Sequence, residues 1–221
     1  MASWSEEERG PRRSAEVDLL GVFAVLWALA AIWHLLGATT SSPAWAQALL
    51  TAGVAAVLLR PGAVAPLALL AVGGLVTMWE EAPVLGNHWL LAGCVNLVIL
   101  MAVLVAAARR RFGDRVDLAN RILPAARLCL LGFYAFAAFS KLNSAFFDRT
   151  VSCAVYYFRE STDSLGLSAL RLGDAAWLEQ AVIVAVVAIE LAVPLLLVFR
   201  RTRGAGVMVA LVFHAVLALD R

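Results

Sequence analysis

The sequence is short of charge, and among its cations it is short of lysine. Only 15% of its 221 residues are charged, and a single lysine, Lys141, stands against seventeen arginines. That is too little charge for the polar exterior of an ordinary soluble domain. Cysteine is scarce as well. Cys94, Cys129 and Cys153 form no C-x-x-C pair and no zinc-like spacing with histidine. Cys94 and Cys129 lie in apolar runs and read as small packing residues. Cys153 alone falls in a polar stretch, placed for a disulfide to another chain or for a reactive thiol. There is no G-x-G-x-x-G, phosphate loop, G-x-S-x-G or H-E-x-x-H, no internal repeat and no low-complexity tract. His34, His88, His214 and Glu190 share no metal-ligand spacing, so no metal is expected. Residues 1–17 lack the features of a signal peptide, because Glu6, Glu7 and Glu8 precede the apolar segment. They read as a disordered cytoplasmic tail.

What is abundant is hydrophobic sequence: 62% of the chain, at a mean hydropathy of +0.84. Residues 18–221 are expected to form an all-α, polytopic transmembrane bundle of six to seven spans. The spans are placed at residues 19–37, 44–59, 63–79, 89–108, 123–142, 177–199 and 204–219. Gly73 and Gly74 would let the third approach a neighbour closely. The last span is short and has no loop after it, so the chain is expected to be a truncated form of a longer protein. With the amino terminus inside, the inner segments receive Arg9, Arg12, Arg13, Arg60, the cluster at 109–121 and the cluster at 200–203. The outer segments at 38–43 and 80–88 receive no arginine, and the long extracytoplasmic segment 143–176 receives Arg149, Arg159 and Arg171. Such a bias sets orientation. It also explains the arginine clusters without nucleic acid as a partner. A short interfacial helix is expected at 165–172.

The residues able to carry chemistry lie in the second half. Lys141 sits about 28 Å up a helix starting near Ile122, at the outer interface. It reads either as a snorkelling anchor or as a partly desolvated base. Asn143, Tyr134, Tyr156 and Tyr157 are placed to supply hydrogen bonds beside it. Glu190 lies about 20 Å below the outer surface, and an ionisable group at such depth is a functional candidate. His214, about 15 Å from the inner side, falls at a similar depth. Glu190 and His214 can therefore pair, as a helix tie or as a proton relay.

The run S-K-L-N-S-A-F-F-D at residues 140–148 resembles the lysine-containing helix end of the vitamin K-dependent gamma-carboxylase-like proteins. That group includes bacterial members with a horizontally transferred transmembrane domain. F-H-A-V-L-A-L-D at residues 213–220 is similar to the family's membrane histidine segment. The resemblance covers roughly the second half of the chain. It implies that Lys141 is the base that deprotonates a reduced naphthoquinone co-substrate. Glu190 and His214, singled out by their depth, are expected to support it. The large lumenal domain that binds the substrate protein has no counterpart here. The resemblance therefore implies quinol oxidation or epoxidation rather than peptide glutamate carboxylation.

The partners expected are the lipid bilayer and a quinone-type, lipid-soluble molecule, and the location is a bacterial inner membrane. Two other function classes fit the same residues. One is a non-catalytic membrane subunit or assembly module. The other is a small-solute or proton-coupled carrier using Glu190 and His214.

Overall fold

A computed structural model of the chain describes residues 18–37, 42–83, 87–167 and 175–217. The described residues are helical, without strands: α1 (Leu19–Gly37), α2 (Ala44–Leu59), α3 (Val64–Glu81), α4 (Asn87–Ala108), α5 (Arg115–Ser140), α6 (Ser144–Phe147), α7 (Cys153–Ser164), α8 (Ala176–Val198) and α9 (Arg203–Leu217). Among them α1, α3, α4, α5 and α8 are long and apolar enough to cross a membrane. α2 and α9, with 16 and 15 residues, are shorter apolar helices. At 1.5 Å per residue these two extend about 22–24 Å against a hydrocarbon core of about 30 Å. Five helices thus meet the length requirement, where the sequence suggested six to seven spans.

The side chains on these helices are apolar on the outside too. Only 11% of the α5 span window and 28% of the α8 window are buried within the protein. Leu26, Leu36, Leu104, Leu128, Phe136 and Leu195 are each at least 60% exposed. In water such surfaces would drive aggregation, whereas in lipid they need no cover. The helices fit an integral membrane protein.

The chain divides into two compact units. The first comprises residues 1–81 and 99–123. Its tightest feature is the α2–α3 hairpin. A Cβ on Gly53 would sit 2.6 Å from the Leu70 Cα, and one on Gly73 would sit 2.8 Å from the Leu50 Cα. The two glycines thus let each helix lie on the other's backbone, the small-residue packing of membrane helices. Gly73 has the role expected of it, and its counterpart Gly53 carries no comparable sequence signature. Leu50, Leu67, Leu70 and Ala71 fill the seam. Ser42 closes one end, donating its hydroxyl to Glu81 Oε1 at 2.6 Å. At the start of α1, Asp18 Oδ1 accepts from the Gly21 N–H at 3.1 Å, and its other oxygen pairs with Arg115. The Arg115 guanidinium also lies against Gly62.

α4 ends in a left-handed cap, a Schellman closure. Arg110 has φ 55°, the Arg111 N–H donates to the Ala106 carbonyl, and the Arg110 N–H donates to that of Ala107. Three arginines therefore crowd a helix carboxyl end, where the macrodipole favours cations.

The second unit comprises residues 82–98 and 124–221. α8 is its spine. The buried residues Glu179, Ile183, Val187, Glu190, Val193 and Leu197 recur every three to four positions along it. Phe146 of α6 and Ala154 and Val155 of α7 pack on Ile183 and Val187. Gly206 lets α9 close against Leu196 and Leu197 of α8.

Two sequence expectations change here. Residues 143–164, read as the first part of a non-spanning extracytoplasmic segment with a helix expected only further on, contain α6 and the three-turn α7. The short helix expected at 165–172 lies mostly outside the described residues, and its described part, 165–167, is the turn that ends α7. The fifth helix starts at Arg115, not near 123, and continues through Pro124. Asp114 caps its amino end by accepting from the Asp117 N–H, and Asp117 pairs with Arg121 one turn on. These local bonds carry the helix through a polar stretch that hydropathy had assigned to a loop. The expected tail at 1–17 falls outside the described residues.

Candidate functional site

The site is built on one face of α5 and the buried stripe of α8. Arg127, Tyr134 and Lys141 are spaced by seven residues, so they lie on the same side of α5. Each meets a different polar feature. Arg127 donates to the carbonyls of Leu197 and Val198 at 2.7 and 2.9 Å, capping the carboxyl end of α8 with a cation. The Tyr134 ring meets His214 edge to face, with centroids 6.2 Å apart. Lys141 Nζ lies 2.9 Å from Glu190 Oε2.

That last pair changes the reading of both residues. Lys141 does not snorkel: its side chain is only 19% exposed, and that of Glu190 only 10%. Lys141 directly follows the last residue of α5, its N–H on the Ala138 carbonyl, and its side chain reaches Glu190 rather than water. Glu190 is about 21 Å along α8 from its first residue. The contact lies off the hydrogen-bonding direction, and Oε2 has no hydrogen-bond donor among the described residues. The two therefore meet as charges at close range. The Phe146 ring, 5.8 Å from Nζ, covers one side of the cation.

The expected Glu190–His214 pair does not form among the described residues. His214 is exposed on α9. Its Nδ1 meets the Ala210 carbonyl of its own helix at 2.9 Å. Equal depth brought the two together on paper, but depth does not fix the direction in which a helix turns its side chains.

Nor do the other expected neighbours of Lys141 reach it. Asn143 is spent on local structure: its amide donates to the Ser140 carbonyl, and its oxygen accepts from the Phe146 N–H as the cap of α6. Tyr156 and Tyr157 are exposed on α7, edge to face with one another. Cys153 is exposed and unpaired as the first residue of α7. Cys94 and Cys129 are half-buried, free thiols.

A second buried carboxylate escaped sequence reasoning. Glu179, 3% exposed, lies on the same stripe of α8 as Glu190. It accepts from Arg159 Nε at 2.9 Å, pairs with a second nitrogen of that guanidinium, and meets Arg149 at 3.4 Å. The available signal was the spacing of Glu179 and Glu190 by eleven residues, just over three helical turns, which puts both on one face. The two arginines and the hydrophobic cluster hold the α6–α7 segment onto α8. Arg149, Thr150, Val151, Ser152, Cys153, Val155, Tyr156 and Arg159 line a cleft of about 360 Å³.

Comparison with protein-family models, with curated proteins and with solved structures gives no match.

Proposed function

We propose that the chain is an integral membrane protein of the vitamin K-dependent carboxylase-like type, acting on a lipid-soluble, quinol-type molecule through the Lys141–Glu190 pair. The observation that carries this reading is the pair itself. A lone lysine at a helix end normally reaches for water. This one turns inward to a carboxylate on a neighbouring apolar helix. Keeping two charges in such surroundings costs several kcal/mol per ion before their attraction is counted, roughly, so a site of this kind is retained for chemistry or specificity. In the reactive form the proton rests on Glu190, and the Lys141 amine takes the proton of the quinol hydroxyl. Tyr134, on the Lys141 side of α5, meets His214 of α9 edge to face. The amino terminus lies inside, the Lys141 end of α5 faces the extracytoplasmic side, and the membrane is a bacterial inner membrane.

Lys141→Arg tests this directly. Arginine keeps the charge contact with Glu190 but cannot give up its proton. Purified protein given menaquinol or vitamin K hydroquinone under air should form oxidised product. Lys141→Arg should remain folded and inserted and lose that turnover. Full turnover in the arginine variant would end the base assignment.

A second reading has an observation of its own. The charge of Glu190 is already answered by Lys141, as a static tie between α5 and α8 would require, and Lys141 does not line the cleft at 149–159. A non-catalytic membrane module needs no more than that. In that case Lys141→Arg behaves as wild type and no quinol is consumed by either protein. A carrier built on Glu190 and His214 has less support, since each has a different partner.

A further inference from the structure

We infer that the cleft at the amino end of α7 is a binding site for a phosphate ester group, separate from the Lys141–Glu190 pair and independent of its role. Four observations converge there. Ser152 lines the cleft and is 4% exposed, yet its Oγ has no hydrogen-bond partner among the described residues. A buried hydroxyl left unpaired is destabilising, and a bound acceptor would recover that loss. Ser152 occupies the cap position of α7 without making a side-chain cap bond. The first N–H groups of a 12-residue helix are therefore left without a side-chain acceptor, at the end where the macrodipole is positive.

Arg149 and Arg159 line the cleft. Both are held by one carboxylate, that of Glu179. Asp148, bonded through Oδ1 to the N–H and hydroxyl of Thr150, also feels the charge of Arg149, so what the cleft offers an oxyanion is oriented donors rather than a surplus of charge. Glu179 also fixes both guanidinium groups in place, so an incoming oxyanion meets donors that are already oriented.

The rim says what the phosphate is attached to. Val151 and Tyr156, 65% and 63% exposed, stand at the mouth. An apolar side chain and a tyrosine beside an arginine-lined cleft match the headgroup level of a bilayer. The ligand chemistry is thus a phosphate mono- or diester. Its source is either an anionic lipid headgroup or a soluble phosphate, and two arms of one experiment separate them.

Cys153 is the reporter, being exposed at the cleft. The full chain is labelled with N-ethylmaleimide in detergent with inorganic phosphate, against chloride at matched ionic strength. It is labelled again in nanodiscs of phosphatidylcholine, with and without phosphatidylglycerol. Occupancy slows labelling about tenfold when the phosphate is tenfold above its dissociation constant. Protection by inorganic phosphate assigns a soluble ligand, and protection by phosphatidylglycerol alone assigns a lipid. Ser152→Ala removes the waiting hydroxyl without disturbing the arginines. It should label at the wild-type rate in chloride, melt at or above the wild-type temperature, and lose most of the protection. Arg149→Gln, which leaves Arg159 on Glu179, should lose it too. No protection in either arm, or equal protection in wild type and Ser152→Ala, overturns the assignment.

Discussion

Lys141 and Glu190 are worth more as a pair than either is alone. Replacing one by methionine strands the other charge in apolar surroundings, at about 3–5 kcal/mol. Replacing both should cost clearly less than the sum of the singles, since no charge is then left over. Thermal unfolding of the four proteins in one detergent checks this, and additive losses would mean that the 2.9 Å contact has no energetic weight. Lys141→Met paired instead with His214→Ala should be additive, because His214 bonds within its own helix. Asp148 offers a second test at this scale, outside the spans. The Thr150 N–H and then its hydroxyl hold the Asp148 carboxyl below its usual 3.8, with the charge of Arg149 adding to the effect. A depressed carboxylate contributes stability above its unfolded value and loses it as pH falls through the folded one. The Thr150 amide proton should therefore titrate with a midpoint under 3.8, and in Thr150→Ala the midpoint should rise towards it. An unchanged midpoint would leave the hydroxyl without a part in the shift.

Among the elements, the α2–α3 hairpin is the one most sensitive to a single carbon. The atoms a Cβ would strike at Gly53 and Gly73 are backbone, which cannot turn aside. Gly53→Ala should cost about 1–3 kcal/mol through overpacking. Gly132→Ala is the matched control, since nothing lies within 4 Å of a Cβ there. It should be neutral or stabilising by up to about 1 kcal/mol, from helix propensity. Equal behaviour of the two alanine variants would refute the close approach. The α4 cap gives the opposite sign. Arg110 holds a positive φ at which a side chain is penalised, so Arg110→Gly should stabilise the helix end by about 1 kcal/mol. The arginine stands there for its charge rather than for its fit to the turn.

For the whole molecule, the arginine distribution makes the orientation testable. Tags at residue 2 and at Gly113 should be protected inside, and a cysteine at Ser164 should label from outside, because arginine clusters resist translocation. Outside labelling at Gly113 would reverse the orientation, and with it the side on which Lys141 and the phosphate cleft are reached. Non-reducing gels of wild type against Cys153→Ser complete the test. With the orientation proposed, the exposed Cys153 thiol meets an oxidising side and is expected to join a second chain; identical migration of the two proteins would rule out a stable bridge.

The helices, and most of their limits, could be read in the chain. Runs of apolar residues bounded by arginine, proline and glycine leave the backbone one way to satisfy its polar groups in lipid, so α1, α2, α8 and α9 begin and end within two residues of where the pattern put them. The sequence also marked Lys141 and Glu190 as the charges that apolar surroundings make expensive. It could not say that they meet. Hydropathy is nearly uniform around these helices, so it carries depth but no azimuth, and depth alone pointed Glu190 at His214. The seven-residue spacing of Arg127, Tyr134 and Lys141 held the azimuth of α5, and the eleven-residue spacing of Glu179 and Glu190 held that of α8. Only tertiary packing decided which faces were turned towards each other. It also folded 143–164 into α6 and α7 against Ile183 and Val187, where polar composition had suggested a loop. Contacts distant in the chain, Arg149 and Arg159 on Glu179, stabilise those turns, and no local pattern encodes them.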